Sequence, residues 1–102
     1  MSRPLLYLPE VARDCADAFT YYEALSASAA LDFDRAFSQA ESEIESGWVT
    51  HQRVFADYHR VFIGQFPYTL YYRITDRHTV IVGVLYSRFS PQRIERTLCA
   101  RS

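Results

Sequence analysis

The apolar residues in the first half of the chain recur with the period of α-helices. Across residues 10–25 they lie three or four residues apart, at Val11, Cys15, Ala18, Phe19, Tyr22 and Leu25. Across residues 29–46 the pattern returns at Ala30, Phe33, Phe37, Ala40 and Ile44. The serines of residues 26–28 offer a cap for the second helix, and Gly47 ends it. Two helices joined by so short a connection predict an antiparallel helical hairpin.

The second half has the pattern of β-strands, rich in β-branched and aromatic residues. Residues 60–63 predict one strand and residues 68–75 a second. In the second strand Leu70, Tyr72 and Ile74 share one face, and Thr69, Tyr71 and Arg73 share the other. Residues 79–87 form an almost unbroken apolar run, which predicts a central strand buried on both faces. Residues 64–67 and 76–78 are predicted turns.

The two ends of the chain complete the predicted fold. Residues 5–8 are compatible with a first strand or with a lead into the first helix. Pro91 fits the first turn of a short last helix at residues 92–98. The resulting order predicts a single α+β domain over residues 1–102, with the helical hairpin packed on a small twisted antiparallel β-sheet. We expect Trp48 to fill the space between hairpin and sheet.

Composition narrows the class of protein. Of 102 residues, 49% are apolar and 16% aromatic, which predicts one compact core. No apolar run approaches the roughly 20 residues that span a bilayer, and the first residues lack the apolar stretch of a signal peptide. Cys15 and Cys99 lack the spacing of metal ligands and predict reduced thiols. We therefore expect a cytoplasmic protein without a metal or another cofactor.

The charge is divided between the two halves of the chain. Residues 1–46 carry nine acids and three arginines, a net charge of −6, and residues 47–102 carry three acids and eight arginines, a net charge of +5. This division of charge predicts a face that meets an anion. The alternative is that the acidic half simply solvates two helices. Every basic residue is arginine, whose planar fork binds phosphate and carboxylate groups. No lysine is present to act as a base.

The second half resembles a known family. Residues 60–74, RVFIGQFPYTLYYRI, are similar to the sheet signature of RelE/ParE toxins, also called plasmid stabilisation proteins. Residues 80–91 are similar to the family's last long strand and the turn after it, and the helical hairpin matches in order and length. The resemblance implies a type II toxin that an antitoxin wraps and neutralises. Such toxins cleave mRNA on the ribosome or, in ParE-type members, poison DNA gyrase.

The chain departs from the family after its last strand. Members often have His at the position of Tyr86, and a second Arg followed by Asp or Asn at Phe89 and Ser90. Only Arg88 and Pro91 of that cluster are present here, and lysine, which the ribonucleases tend to use, is absent. These departures favour a ParE-like toxin. A RelE-type endoribonuclease and an inactive, binding-only relative are the alternatives.

The candidate catalytic residues follow from the chemistry of RNA cleavage. Attack by a 2′-hydroxyl needs a base, a cation on the phosphate and an acid for the leaving oxygen. Arg88 is the predicted phosphate clamp. Tyr86, on the same face of a regular strand, is the predicted proton donor. His51 and His59 are alternative bases, and His78 lies in a predicted turn.

The candidate target-binding residues are also arginines. Arg60 and Arg73 lie on neighbouring predicted strands, and Arg93 lies in the predicted last helix. For Arg88 the alternative is a surface ion pair with an acid of a helix. For Tyr86 the alternative is a ring that packs over the sheet and bonds through its hydroxyl.

Overall fold

A computed structural model describes residues 3–47 and 51–101 of the chain. Helix α1 spans Pro9–Leu25 and helix α2 spans Ala27–Ser46, so Ser26 alone connects them. The Ser26 hydroxyl accepts a hydrogen bond from the backbone N–H of Ala29, which caps α2 two residues earlier than predicted. Gly47 ends α2 with a φ of 71°, a left-handed conformation that glycine adopts readily. The predicted helical hairpin is confirmed, and Trp48 lies outside the described residues.

The sheet contains five strands in the order β1-β5-β4-β3-β2. Their bounds are β1 Leu5–Tyr7, β2 Arg53–Phe55, β3 Tyr58–Phe62, β4 Tyr68–Ile74 and β5 Thr79–Tyr86, and helix α3 follows at Pro91–Arg101. The predicted α+β fold class is confirmed. The expectation of a purely antiparallel sheet is wrong at one pair, because β1 runs parallel to β5. A parallel pair needs a long crossover, and the hairpin together with the β2–β4 meander supplies it.

The two faces of the sheet are covered differently. The hairpin covers one face, here called the hairpin face, through a cluster that includes Val11, Ala18, Phe33, Leu70, Tyr72 and Ile81. Helix α3 covers part of the other face, here called the α3 face, through Tyr58, Tyr71, Val82, Leu85 and Leu98. The prediction that Leu70 and Tyr72 share one face of β4 and that Tyr71 lies on the other is confirmed. Ile74 is exposed instead, because it ends the strand beyond the hairpin cluster.

Strand β5 is buried on both faces, as predicted, but β4 is the middle strand of the five. The pairing of β4 with β5 shifts register after Tyr71, which marks a β-bulge. Ile81 and Val84, three residues apart, therefore both contact the hairpin cluster. Val82 and Leu85 both contact the α3 cluster. A strict two-residue alternation does not describe this strand.

An ion pair between Asp14 and Arg101 binds the backbone of β5 beyond the end of its pairing with β1. The backbone N–H of Val84 donates to Asp14 Oδ2 at 3.0 Å, and Arg101 Nη1 donates to the carbonyl oxygen of Val82 at 3.2 Å. Arg101 also binds Asp14 through two hydrogen bonds of 2.6 and 3.0 Å. At Gly83 a Cβ atom would lie 2.9 Å from Arg101 Nη1, so glycine leaves room for the pair. The pair thus joins α1, β5 and α3.

Within the described residues, no helix combines the length and the apolar character that a membrane span requires. The longest described helix is α2, which has 20 residues and carries acids along much of its length.

The two thiols are expected to differ in reactivity. Burial raises the pKa of Cys15 to about 11, and the acids Asp14 and Glu41 add to the rise, whereas Cys99 is exposed. Because the thiolate is the reactive form, iodoacetamide at pH 8 should alkylate Cys99 more than about tenfold faster than Cys15. Peptide mass spectrometry over time measures both rates in the native chain. Equal alkylation rates for the two thiols in the native chain would contradict this expectation, whereas in urea, which removes the burial of Cys15, the two rates should become similar.

Candidate functional site on the α3 face

A cavity of about 360 Å³ lies between the α3 face of the sheet and helix α3. Its apolar wall consists of Val54, Phe55, Phe62, Phe89, Pro91 and Ile94. Three hydroxyl residues, Thr69, Tyr71 and Ser87, and two charged residues, Arg60 and Glu95, complete the lining. An apolar cavity of this size with a few converging polar groups is typical of a binding site.

Arg60 is the cation of this cavity. Its Nε and Nη2 atoms donate to the neutral amide oxygen of Gln52 at 3.2 and 2.7 Å, and its guanidinium lies 5.2 Å from the ring centre of Phe62. Among the described residues, no carboxylate forms an ion pair with it. Its charge is therefore available to an anionic ligand or partner.

The polar floor of the cavity is a short row of hydroxyl groups beside Arg60. The hydroxyls of Thr69 and Ser87 lie 2.7 Å apart, and Thr69 is 1% exposed. Burial raises the pKa of Tyr71, and the positive charge of Arg60 opposes that rise. Tyr71 stays a neutral phenol near pH 7 and can donate or accept a hydrogen bond. The floor therefore suits a polar group that contacts Arg60 at the same time.

The predicted catalytic pair, Tyr86 and Arg88, is separated by the end of β5. The strand ends at Tyr86, and a turn closed by the Phe89 N–H to the carbonyl of Tyr86, at 3.1 Å, carries Arg88. The strand alternation that would place both on one face does not reach Arg88. Arg88 is exposed, and none of the described residues forms a hydrogen bond or ion pair with its side chain. The turn borders the cavity, because Ser87 and Phe89 both line it.

Tyr86 packs as a half-buried ring. Its ring centre lies 5.9 Å from that of Tyr68 and 5.6 Å from that of Phe89. Tyr68 belongs to the aromatic group that packs against the hairpin cluster. The packing alternative therefore describes the contacts of Tyr86 better than a role as proton donor beside Arg88 does.

The other two predicted target-binding arginines have different surroundings. The guanidinium of Arg93, in the first turn of α3, lies 3.6 Å from the ring centre of Phe89. Because Phe89 lines the cavity, Arg93 lies at its rim. Arg73 instead binds Asp57 through hydrogen bonds of 3.0 to 3.2 Å, which lowers the pKa of that carboxyl. Arg60 thus lines the cavity, Arg93 stacks on a ring that lines it, and Arg88 lies in the turn that borders it. Arg73 lies apart with its charge compensated.

The histidines lie elsewhere. His51 forms hydrogen bonds with Tyr72 at 2.8 Å and with Glu43 at 3.2 Å, and His59 stacks on Tyr72. Tyr72 belongs to the hairpin face, so neither ring reaches the cavity as a base. His78 lies in the turn before β5, and the eight residues of that strand separate it from Arg88 by roughly 25 Å. Burial raises the pKa of Tyr72 to about 12.

Sequence reasoning missed Glu95, the one carboxylate that lines the cavity. A signal was present, because Ile94 and Leu98 are the apolar positions with which α3 contacts the sheet. Pro91 lies three residues before Ile94, and Glu95 lies three residues before Leu98, so each shares a side of the helix with one of them. No motif distinguishes Glu95 from the other acids.

Within residues 3–47 and 51–101, no three His, Cys, Asp or Glu side chains come together as metal ligands would. No protein-family model matches the chain, and no curated protein matches it. The interpretation of the site therefore depends on its geometry and on the residues that line it.

Proposed function

We propose that this protein is a ParE-like toxin of a type II toxin–antitoxin pair, which acts in the cytoplasm by binding its target through the α3 face. The observation that carries the proposal is that Arg60 lines the cavity while Arg93 stacks on Phe89 at its rim and Arg88 lies in the bordering turn. None of the three forms an ion pair with a carboxylate of the described residues. Arginines of this kind bind carboxylates and phosphates strongly, because their charge is not already compensated.

The placement of the histidines favours binding over RNA cleavage. A 2′-hydroxyl has to lose its proton to a base within hydrogen-bond reach, and His51 and His59 both contact Tyr72 on the hairpin face. Target binding needs no such base. DNA gyrase is the proposed target, from the resemblance of residues 60–74 and 80–91 to ParE-type toxins, and a cognate antitoxin is the proposed partner.

The position of Glu95 in the cavity supports a second candidate function, that of a RelE-type endoribonuclease. It lines the same cavity as Arg60 and Tyr71, and a carboxylate can act as the base that the histidines do not supply. In this candidate Arg60 stabilises the phosphate and Tyr71 contributes a hydroxyl. The substitution Glu95→Gln, which keeps the shape of the side chain, separates the two candidates.

Induced expression in bacterial cells tests the proposal, with growth, mRNA integrity and plasmid supercoiling measured in the same cultures. A gyrase-directed toxin should arrest growth and reduce negative supercoiling while mRNA stays intact. If the parent chain causes mRNA cleavage and the Glu95→Gln variant leaves mRNA intact, the endoribonuclease is established instead. Normal growth at high levels of folded protein would contradict toxin function and leave a binding-only relative.

A further inference from the structure

The hairpin has an apolar groove along the seam between α1 and α2. Two adjoining cavities of about 350 and 360 Å³ form it, and they share Ala12, Cys15 and Phe37. Ala16, Phe19 and Phe33 extend the lining toward the far end of α1. Phe19 remains 36% exposed. The groove therefore offers apolar surface to a partner on the side of the sheet opposite to the arginines.

The charge around the groove is negative. Asp34 is the only charged residue in the lining of the two cavities among the described residues. Tyr7, also in the lining, donates a hydrogen bond to Glu41. Asp14 and Glu41 both add to the rise in the pKa of Cys15 that burial begins, so the acids act on the groove itself. An apolar strip beside carboxylates selects a partner with basic flanks.

We propose that this groove is the docking site for an amphipathic helix of a partner protein, with an apolar stripe for the groove and Lys or Arg beside it. Helix-in-groove binding inserts successive apolar anchors along one side of a helix, and the two adjoining cavities along the seam offer places for such anchors. The identification of that partner as the antitoxin rests on the proposed function. The antitoxin would then contact the acidic hairpin, while the arginines face the target on the other side of the sheet.

A second copy of this chain fits the groove poorly. Residues 1–46 carry a net charge of −6, so two hairpins placed face to face would repel each other. The basic helix α3 does not offer its apolar side to a second copy, because Leu98 is 0% exposed against its own sheet and Arg101 is held by Asp14. A separate basic helix is the occupant that the charges favour.

The probe is a capped amphipathic peptide of about 18 residues, about five helical turns, with a Leu and Ala stripe flanked by lysines. The control peptide carries glutamate in place of each lysine. Fluorescence anisotropy with the full chain should show the lysine peptide binding at least about tenfold more tightly at low salt. Equal binding of both peptides, or tighter binding of the glutamate peptide, would overturn the proposal.

Two matched variants locate the binding. Ala16→Arg puts a bulky cation into the groove lining, and Ala24→Arg makes the same change at an exposed position of α1 outside the lining. Ala16→Arg should weaken the lysine peptide by about tenfold or more, and Ala24→Arg by less than about twofold. Equal effects would overturn the assignment of the groove. A dimer of the free chain that Ala16→Arg dissociates, measured by sedimentation, would make a second copy the occupant and also overturn it.

The same variants separate this inference from the proposed function. If Ala16→Arg abolishes binding of the lysine peptide but the parent chain never arrests growth, the groove assignment is supported and the toxin function is contradicted. If a co-expressed candidate antitoxin relieves growth arrest equally well for the parent and for Ala16→Arg, the result supports the toxin pair and contradicts the groove.

Discussion

Asp14→Ala is expected to lower the free energy of unfolding by about 3–5 kcal/mol, because it leaves a mostly buried guanidinium without its counter-charge. The side chains of Asp14 and Arg101 are only 11% and 15% exposed. The substitution also leaves the backbone N–H of Val84 without its acceptor, which adds a desolvation cost. Urea denaturation at pH 7, followed by circular dichroism, measures the change.

A matched exposed pair provides the control. Asp57 binds Arg73 with comparable hydrogen bonds, but both side chains are well exposed, so Asp57→Ala should cost less than about 1 kcal/mol. Asp14→Asn keeps an oxygen for the Val84 N–H and removes the charge, so its cost should lie between the two. If Asp14→Ala costs no more than Asp57→Ala, the ion pair does not hold α3 to the rest of the fold.

Arg60→Ala and Arg88→Ala are each expected to reduce toxicity by roughly thirtyfold or more, if the α3 face binds the target. Loss of a central arginine contact costs on the order of 2–4 kcal/mol, and each 1.4 kcal/mol is about a tenfold change in affinity. Arg88 is exposed and forms no ion pair within the described residues, so its replacement should change the free energy of unfolding by only about 0.5 kcal/mol. The inducer concentration that halves the growth rate measures toxicity, at matched levels of soluble protein.

Arg77→Ala is the control for both variants. Arg77 is an exposed arginine in the turn before β5, at the opposite end of that strand from Arg88. Arg77→Ala changes the net charge by the same amount as the other two substitutions. It should change toxicity by less than about twofold, because Arg77 is not part of the cavity lining and residues outside the few dominant contacts of an interface contribute little to binding. If Arg88→Ala and Arg60→Ala, both folded, arrest growth as strongly as the parent and Arg77→Ala, the target does not bind at this cavity.

The sequence by itself determined the local elements of this protein. Helical periodicity, the cap at Ser26 and the stop at Gly47 are set by contacts within a few residues, so α1 and α2 could be predicted closely. The alternation in β4 also predicted which of Leu70 and Tyr71 faces the hairpin. The candidate arginines could be selected from the sequence because the guanidinium group binds anions. In the structure Arg60 lines the cavity and Arg93 lies at its rim.

Only the tertiary structure decided how distant segments pair. Strand β2 has three residues, too few to show a period, and it becomes a strand because β3 supplies its hydrogen bonds. The bulge in β5 reverses the alternation after Ile81, and no local pattern marks it. Asp14 and Arg101 lie 87 residues apart, so their pairing follows from the packing of α1 and α3 on β5. The pairing of Arg73 with Asp57 and the contacts of the histidines with Tyr72 also depend on the tertiary structure. A side chain's partner across the sheet is set by the strand register, which local sequence does not specify.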